Sequence, residues 1–184
     1  MTKAAGEKGE PISSAGPDGQ EGQKKAERRQ GKLQVVEFLV GKEHYAVDLF
    51  DVREVVEYTS ITKLPDTPSC MKGIIDLRGE ITTIIDLKER LNIVDKSDLP
   101  IENSRIIVLD EKITRAKTGI LVDDVLAVST FEQGDIDSTS ASGAKEDASI
   151  LGIIKKKMRE KDQERNELII WIDIRHLLMD IGQG

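Results

Sequence analysis

Short runs of β-branched and other apolar residues, broken by turn residues every ~8–12 positions, pattern this chain from Leu33 onward. About ten such runs and few helical stretches predict a mainly β protein. Gln34 to Val40 reads as a strand, Gly41-Lys42 as a Gly-X turn of the II′ kind, and Glu43 to Val47 as the returning strand. On the return, Tyr45, Val47 and Leu49 share one parity while His44, Ala46 and Asp48 share the other, which predicts a solvent-facing His44. Val52 to Tyr58 (VREVVEY) is a further strand with Val52, Glu54, Val56 and Tyr58 on one face. A carboxylate among apolar neighbours predicts an exposed edge or a contact surface there.

The stretch Met71 to Leu91, MKGIIDLRGEITTIIDLKERL, organises the rest. Two β-branched runs flank Asp76-Leu77-Arg78-Gly79, whose Asp and Gly suit a type I turn closed by a left-handed Gly in a three-residue hairpin loop. Arg78 is placed at the tip, where a long cation has no packing role. Asp86 and Glu89 then have the spacing of a capping box that opens a short helix. The same step from apolar strand to Asp to branched aliphatic recurs at Val47-Asp48-Leu49 and Ile172-Asp173-Ile174. N-capping explains all three aspartates; general acid–base work requires carboxyls that converge on one pocket, and the spacing gives no reason to assume that.

Farther along, Pro65 and Pro68 mark a loop, and the polar run 92–103 suggests a division between two subdomains. Arg105 to Leu109 and Gly119 to Val122 form a second hairpin pair, Val125 to Thr130 another strand, and 132–149 a loop. Ile150 to Ile154 and Glu167 to Ile172 flank a charged stretch, KKKMREKDQERNE, read as a solvated hairpin tip. Asp173 to Met179 is the last capped helix.

Composition narrows the function. Residues 1–31 hold one branched aliphatic residue, Ile12, and are expected to be a disordered tail, since such a stretch cannot offset its ordering entropy. Single Cys70 excludes an intramolecular disulfide and reads as a small buried hydrophobe in a reducing compartment. No apolar run approaches the ~18 residues of a membrane span, and the N-terminus lacks a signal-peptide core, so a soluble, cytoplasmic protein is expected. A net charge of −7 with only 3% aromatic residues argues against nucleic acid as a partner. No phosphate-binding Gly loop, paired His or nucleophile elbow appears, so no enzyme, cofactor or metal is expected.

GIIDLRGEITTIIDLKERL resembles the signature hairpin of the CheW domain, the chemotaxis scaffold that couples receptors to the histidine kinase CheA. VREVVEY and Gly119 to Val128 (GILVDDVLAV) resemble two further segments of that family, and the likeness covers about residues 33–180. It departs where the family usually has Asn (here Asp76) and Pro (here Thr83), and in a longer charged stretch at 155–167. The resemblance implies two SH3-like five-stranded β-barrel subdomains with short capping helices in a domain spanning 32–182. It also implies a non-enzymatic adaptor whose partners are the regulatory domain of a CheA-type kinase and the cytoplasmic tip of chemoreceptors. The protein would then sit at membrane-bound receptor arrays through its partners, without inserting in the membrane. By that resemblance Val52, Glu54, Leu77, Arg78 and Gly79 form the receptor and kinase surface. The alternative is an SH3-like barrel that binds peptide or RNA outside chemotaxis.

Overall fold

The computed structural model describes residues 31–94, 100–114, 116–138, 149–160, 163–179 and 181, so the expected tail lies outside it apart from Gly31. In chain order the first strands are β1 (Lys32–Val40), β2 (Glu43–Asp48), β3 (Val52–Glu57), β4 (Met71–Leu77) and β5 (Glu80–Asp86). There follow β6 (Arg105–Leu109), β7 (Thr118–Val122), β8 (Asp124–Glu132), β9 (Ile136–Asp137), β10 (Ile150–Glu160) and β11 (Gln163–Ile172). Two short helices, α1 (Leu87–Arg90) and α2 (Ile174–Leu178), follow β5 and β11.

The strands form a six-stranded sheet in the order β8-β1-β2-β11-β10-β9 and a five-stranded sheet in the order β3-β6-β7-β5-β4. This is the expected mainly β architecture of two subdomains, the sixth strand of the first sheet being the two-residue β9. The boundary differs from the expectation. β4 and β5 precede the polar run 92–103 and β6 and β7 follow it, yet all four share one sheet. β5 pairs in parallel with β7, with Thr83 opposite Thr118, and a parallel pair needs a crossover rather than a tight turn. The polar run is part of that crossover. The sheets divide instead after β2 and before β8, so the five-stranded unit is inserted into the six-stranded one.

Each sheet keeps a private core and the two share a third. Val35, Ala46, Ile154 and Ile169 pack within the six-stranded sheet, and Ile75, Ile84, Ile106 and Leu121 within the five-stranded one. The largest cluster joins Val36, Phe38 and Val47 to Ile85, Ile107 and Ile120, with Leu87, Ile174 and Leu177 from the helices. At roughly 1.5–3 kcal/mol for each fully buried side chain, this junction is the main reason the subdomains form one body.

The three Asp-capped turns close that junction. Asp48 accepts from the Phe50 amide at 3.0 Å, Asp86 from the Lys88 and Glu89 amides at 2.9 and 3.3 Å, and Asp173 from the His176 amide at 3.1 Å. Glu89 does not complete a capping box; its carboxylate takes the Lys72 ammonium at 3.2 Å. Cross-ties hold the turns together: Arg90 Nε donates to the Leu177 carbonyl at 2.6 Å, and Arg175 pairs with Asp51 at 3.1 Å.

His44 corrects a second expectation. β2 is an inner strand with a core on each face, so both Ala46 and Val47 are fully buried and parity no longer separates inside from outside. His44 is buried as well. Its Nε2 lies 3.0 Å from Glu37 and its Nδ1 3.1 Å from Glu167, though neither contact has hydrogen-bond alignment. Cys70 is buried in the shared core, as its reading as a small hydrophobe requires.

Candidate functional site

The site is built on the β4–β5 hairpin. Leu77 pairs with Glu80, which leaves a two-residue loop of Arg78 and Gly79 with φ of 56° and 83°. Positive φ at both central residues is the I′ pattern, whose twist suits an antiparallel pair. The three-residue loop is therefore corrected. Asp76 still serves the turn, since its Oδ1 accepts from the Gly79 amide at 2.6 Å. The other departure from the family pattern also finds a use. The Thr83 amide donates to the Lys117 carbonyl at 2.9 Å, a bond that proline could not make.

Of the five expected site residues, Arg78 and Glu54 meet across the open seam of the five-stranded sheet. β3 is one edge of that sheet, with a register shift between Val52 and Glu54 where it pairs β6. The Arg78 guanidinium reaches from the hairpin tip to Glu54 with two hydrogen bonds, at 3.1 and 2.7 Å. The Arg78 side chain is 73% exposed and that of Glu54 21%. Val52 packs on the shared core and Leu77 on the core of the five-stranded sheet, so both support the surface from below. Gly79 is exposed beside Arg78.

A second set of charges, which local sequence reading did not single out, lies across the same seam. Arg53 pairs with Glu111 at 3.0 Å and approaches Glu80 at 4.0 Å, while Lys117 pairs with Glu80. The hydrogen bond and charge of Lys117, and then the charge of Arg53, hold the Glu80 carboxyl below its ordinary pKa against a small burial effect. Exposed Val55 and Ile81 add apolar surface on the same strands. Ile81 was not legible from parity, because Ile85 shares its side of the strand and is buried in the shared core. Among the described residues no group of three or more His, Cys, Asp or Glu could hold a metal ion, and no helix is long and apolar enough to cross a membrane.

The CheW-like domain family matches residues 34–182 of this sequence. The chain belongs to the CheW family. Among its relatives, the chemotaxis protein CheW of Bacillus subtilis is 30% identical over 73% of this chain and 83% of its own length. The Klebsiella aerogenes chemotaxis protein CheW is 31% identical over 77% of this chain and 78% of its own. A crystal structure of the scaffolding protein TtCheW from Thermoanaerobacter tengcongensis superposes with a TM-score of 0.65 at 33% identity. That match covers 83% of this chain and 95% of the other. The two-subdomain β fold and the chemotaxis scaffold class of the CheW family are thus those of this chain.

Proposed function

We propose that this chain couples chemoreceptors to a CheA-type histidine kinase, and that Val52, Glu54, Leu77, Arg78 and Gly79 form part of the coupling surface. It works as an adaptor without catalysis: its product is the proximity of a receptor's cytoplasmic tip to the kinase's regulatory domain. It reaches the membrane-bound array through those partners. One observation carries the reading. Arg78, a long cation, occupies a left-handed position at an exposed tip that favours Gly or Asn. Non-glycine residues held in such conformations cluster at functional sites.

The chemistry of the tip suits a protein partner. A guanidinium has five N–H donors in a rigid fork, and Glu54 engages only two of them. The others face a partner's carboxylates or backbone carbonyls, with Val55 and Ile81 as apolar flanks. The test is to titrate the chain separately with a kinase regulatory domain and with a receptor-tip fragment, then repeat with Arg78→Ala. The coupling reading expects both partners to bind and at least one to weaken with the variant. Binding of neither partner overturns it.

A further inference from the structure

The Arg78 backbone raises a question of its own: what keeps an arginine in a conformation that side-chain-bearing residues rarely adopt? The loop has two residues, so its central peptide is the one joining Arg78 to Gly79, and the N–H of that peptide belongs to Gly79. Leaving the I′ arrangement for a type I turn turns this peptide over and reverses the sign of φ at Arg78, which redirects the bond from which its side chain grows. The Gly79 N–H donates to Asp76 Oδ1 at 2.6 Å, which is within the short range of charge-assisted bonds. No other partner of the Asp76 carboxylate is present among the described residues. Its single role is to hold the central peptide of the tip.

We propose that Asp76 is a positioning residue for Arg78: it fixes the left-handed tip and so aims the guanidinium before a partner arrives. This rests on the coupling reading for its functional consequence, though not for its structural one. The two carboxylates near the tip then have separate tasks. Glu54 holds the guanidinium, and Asp76 holds the backbone beneath it. Neither task contributes to a core, because Asp76, Arg78 and Gly79 are all exposed. Asparagine can make the same bond without the charge, so Asp76→Asn keeps the geometry with a weaker hold, and Asp76→Ala abandons it.

The experiment compares wild type, Asp76→Asn and Asp76→Ala in three measurements on the full chain. These are the HN–Hα coupling and carbon shifts of Arg78 and Gly79, the melting temperature, and affinity for the kinase and receptor fragments. Asp76→Ala is expected to shift the Arg78 signals away from left-handed values with melting unchanged. If the competent tip falls to about a tenth of the population, affinity for the partner that Arg78 contacts drops about tenfold. Asp76→Asn is expected to stay within about threefold of wild type, the rescue that marks positioning rather than charge recognition. Left-handed Arg78 signals in Asp76→Ala overturn the proposal, whatever happens to binding. So does a melting loss of several degrees that Asn fails to restore, since that makes Asp76 a structural residue. Wild-type chain that binds neither fragment sinks the coupling reading alone, and the NMR comparison still decides the role of Asp76.

Discussion

Two carboxylates in this molecule each accept two hydrogen bonds from a cationic side chain, and their surroundings are opposite. Arg78 and Glu54 meet on an exposed hairpin tip, with side chains 73% and 21% accessible. Lys156 reaches Glu37 at 2.9 and 2.7 Å on the inner face of the six-stranded sheet, where the Glu37 side chain has no accessible surface. His44 stands beside the same carboxylate and Glu167 beside His44, so the inner pair belongs to a charged layer that roots the β10–β11 hairpin on β1 and β2. Water screens the outer pair, and its charges can exchange partners at little cost. The inner pair has no such freedom. A charge left alone there has nothing to replace its partner. Burial, rather than the chemistry of the pair, makes the inner one part of the fold and leaves the outer one open to the partner contact proposed for it.

Breaking the inner pair therefore gives the largest expected effect. Lys156→Met leaves the Glu37 carboxylate buried with only Ser129 and His44 beside it, and is expected to cost about 3 kcal/mol of folding stability. Replacing both, as Glu37→Met with Lys156→Met, is expected to restore most of that loss, because two apolar chains demand no compensation. Denaturant unfolding of Glu37→Met, Lys156→Met and the double variant closes the cycle. A single-variant loss below about 1 kcal/mol means water reaches Glu37, and the contrast with the tip then disappears.

Acid provides a milder probe of the same pair. Burial pushes the Glu37 pKa up, but hydrogen bonds from Lys156 and Ser129 and the charges of Lys156 and His44 bring it below its ordinary value. A depressed folded-state pKa means the carboxylate's contribution is fully present above the unfolded value. It is lost as pH falls through the lower folded one. Wild type is expected to lose stability more steeply than Glu37→Gln below about pH 4, near the unfolded carboxyl value. Parallel stability curves for the two proteins in that range contradict the ionic account of the layer.

Asp86 lies between the two extremes. It accepts from two amides at the start of α1 and pairs with Lys72 at 2.9 Å, while Asp173 accepts from the His176 amide alone among the described residues. The hydrogen bond that Lys72 donates to Asp86, with both carboxylates' charges and a second bond to Glu89, raises the Lys72 pKa despite burial. Asp86→Ala is expected to cost about 1–2 kcal/mol and Asp173→Ala about 1 kcal/mol, with binding falling only as far as folding does. Thermal melts beside partner titrations check the order. An Asp86 variant that melts normally but loses partner affinity moves that residue from the scaffold into the site.

The same contrast explains what could be read from the sequence. Caps were legible at Asp48, Asp86 and Asp173 because a cap is a local device, complete within three residues of its aspartate. The exposed tip was legible for the same reason, down to Arg78. His44 was not. Its burial depends on cores on both faces of β2 and on a lysine that reaches β1 across 119 positions of sequence. The loop length was misread because Asp-x-x-Gly fits either of two registers. Only the inward packing of Ile75 and Thr82 selects the one with Leu77 opposite Glu80, since a one-residue slip turns such side chains outward. The division at 92–103 failed for a topological reason: a parallel pair of strands hides its crossover as a linker.

At the outer pair the smallest stability change is expected to accompany the largest change in binding. Arg78 contributes nothing to any core, and its ion pair is screened, so Arg78→Ala is expected to alter folding stability by no more than about 0.5 kcal/mol. The left-handed backbone pulls the other way, because an alanine there meets the same steric objection as the arginine; Arg78→Gly relieves it and is expected to be slightly stabilising. Binding separates the two roles. Loss of one anchoring guanidinium is expected to cost about 2 kcal/mol of affinity, near thirtyfold, in Ala and Gly variants alike. Arg78→Lys keeps the charge but lacks the fork, and is expected to recover only a small part of it. Glu54→Gln sharpens the comparison further. If Glu54 merely holds Arg78 in place, the variant weakens binding; if it competes with a partner's carboxylate, the variant strengthens it. Melting curves recorded with each titration decide whether the tip acts on partners or on the fold. Unchanged affinity for both fragments, or Arg78→Ala unfolding several degrees early, would make the outer pair a weaker copy of the inner one.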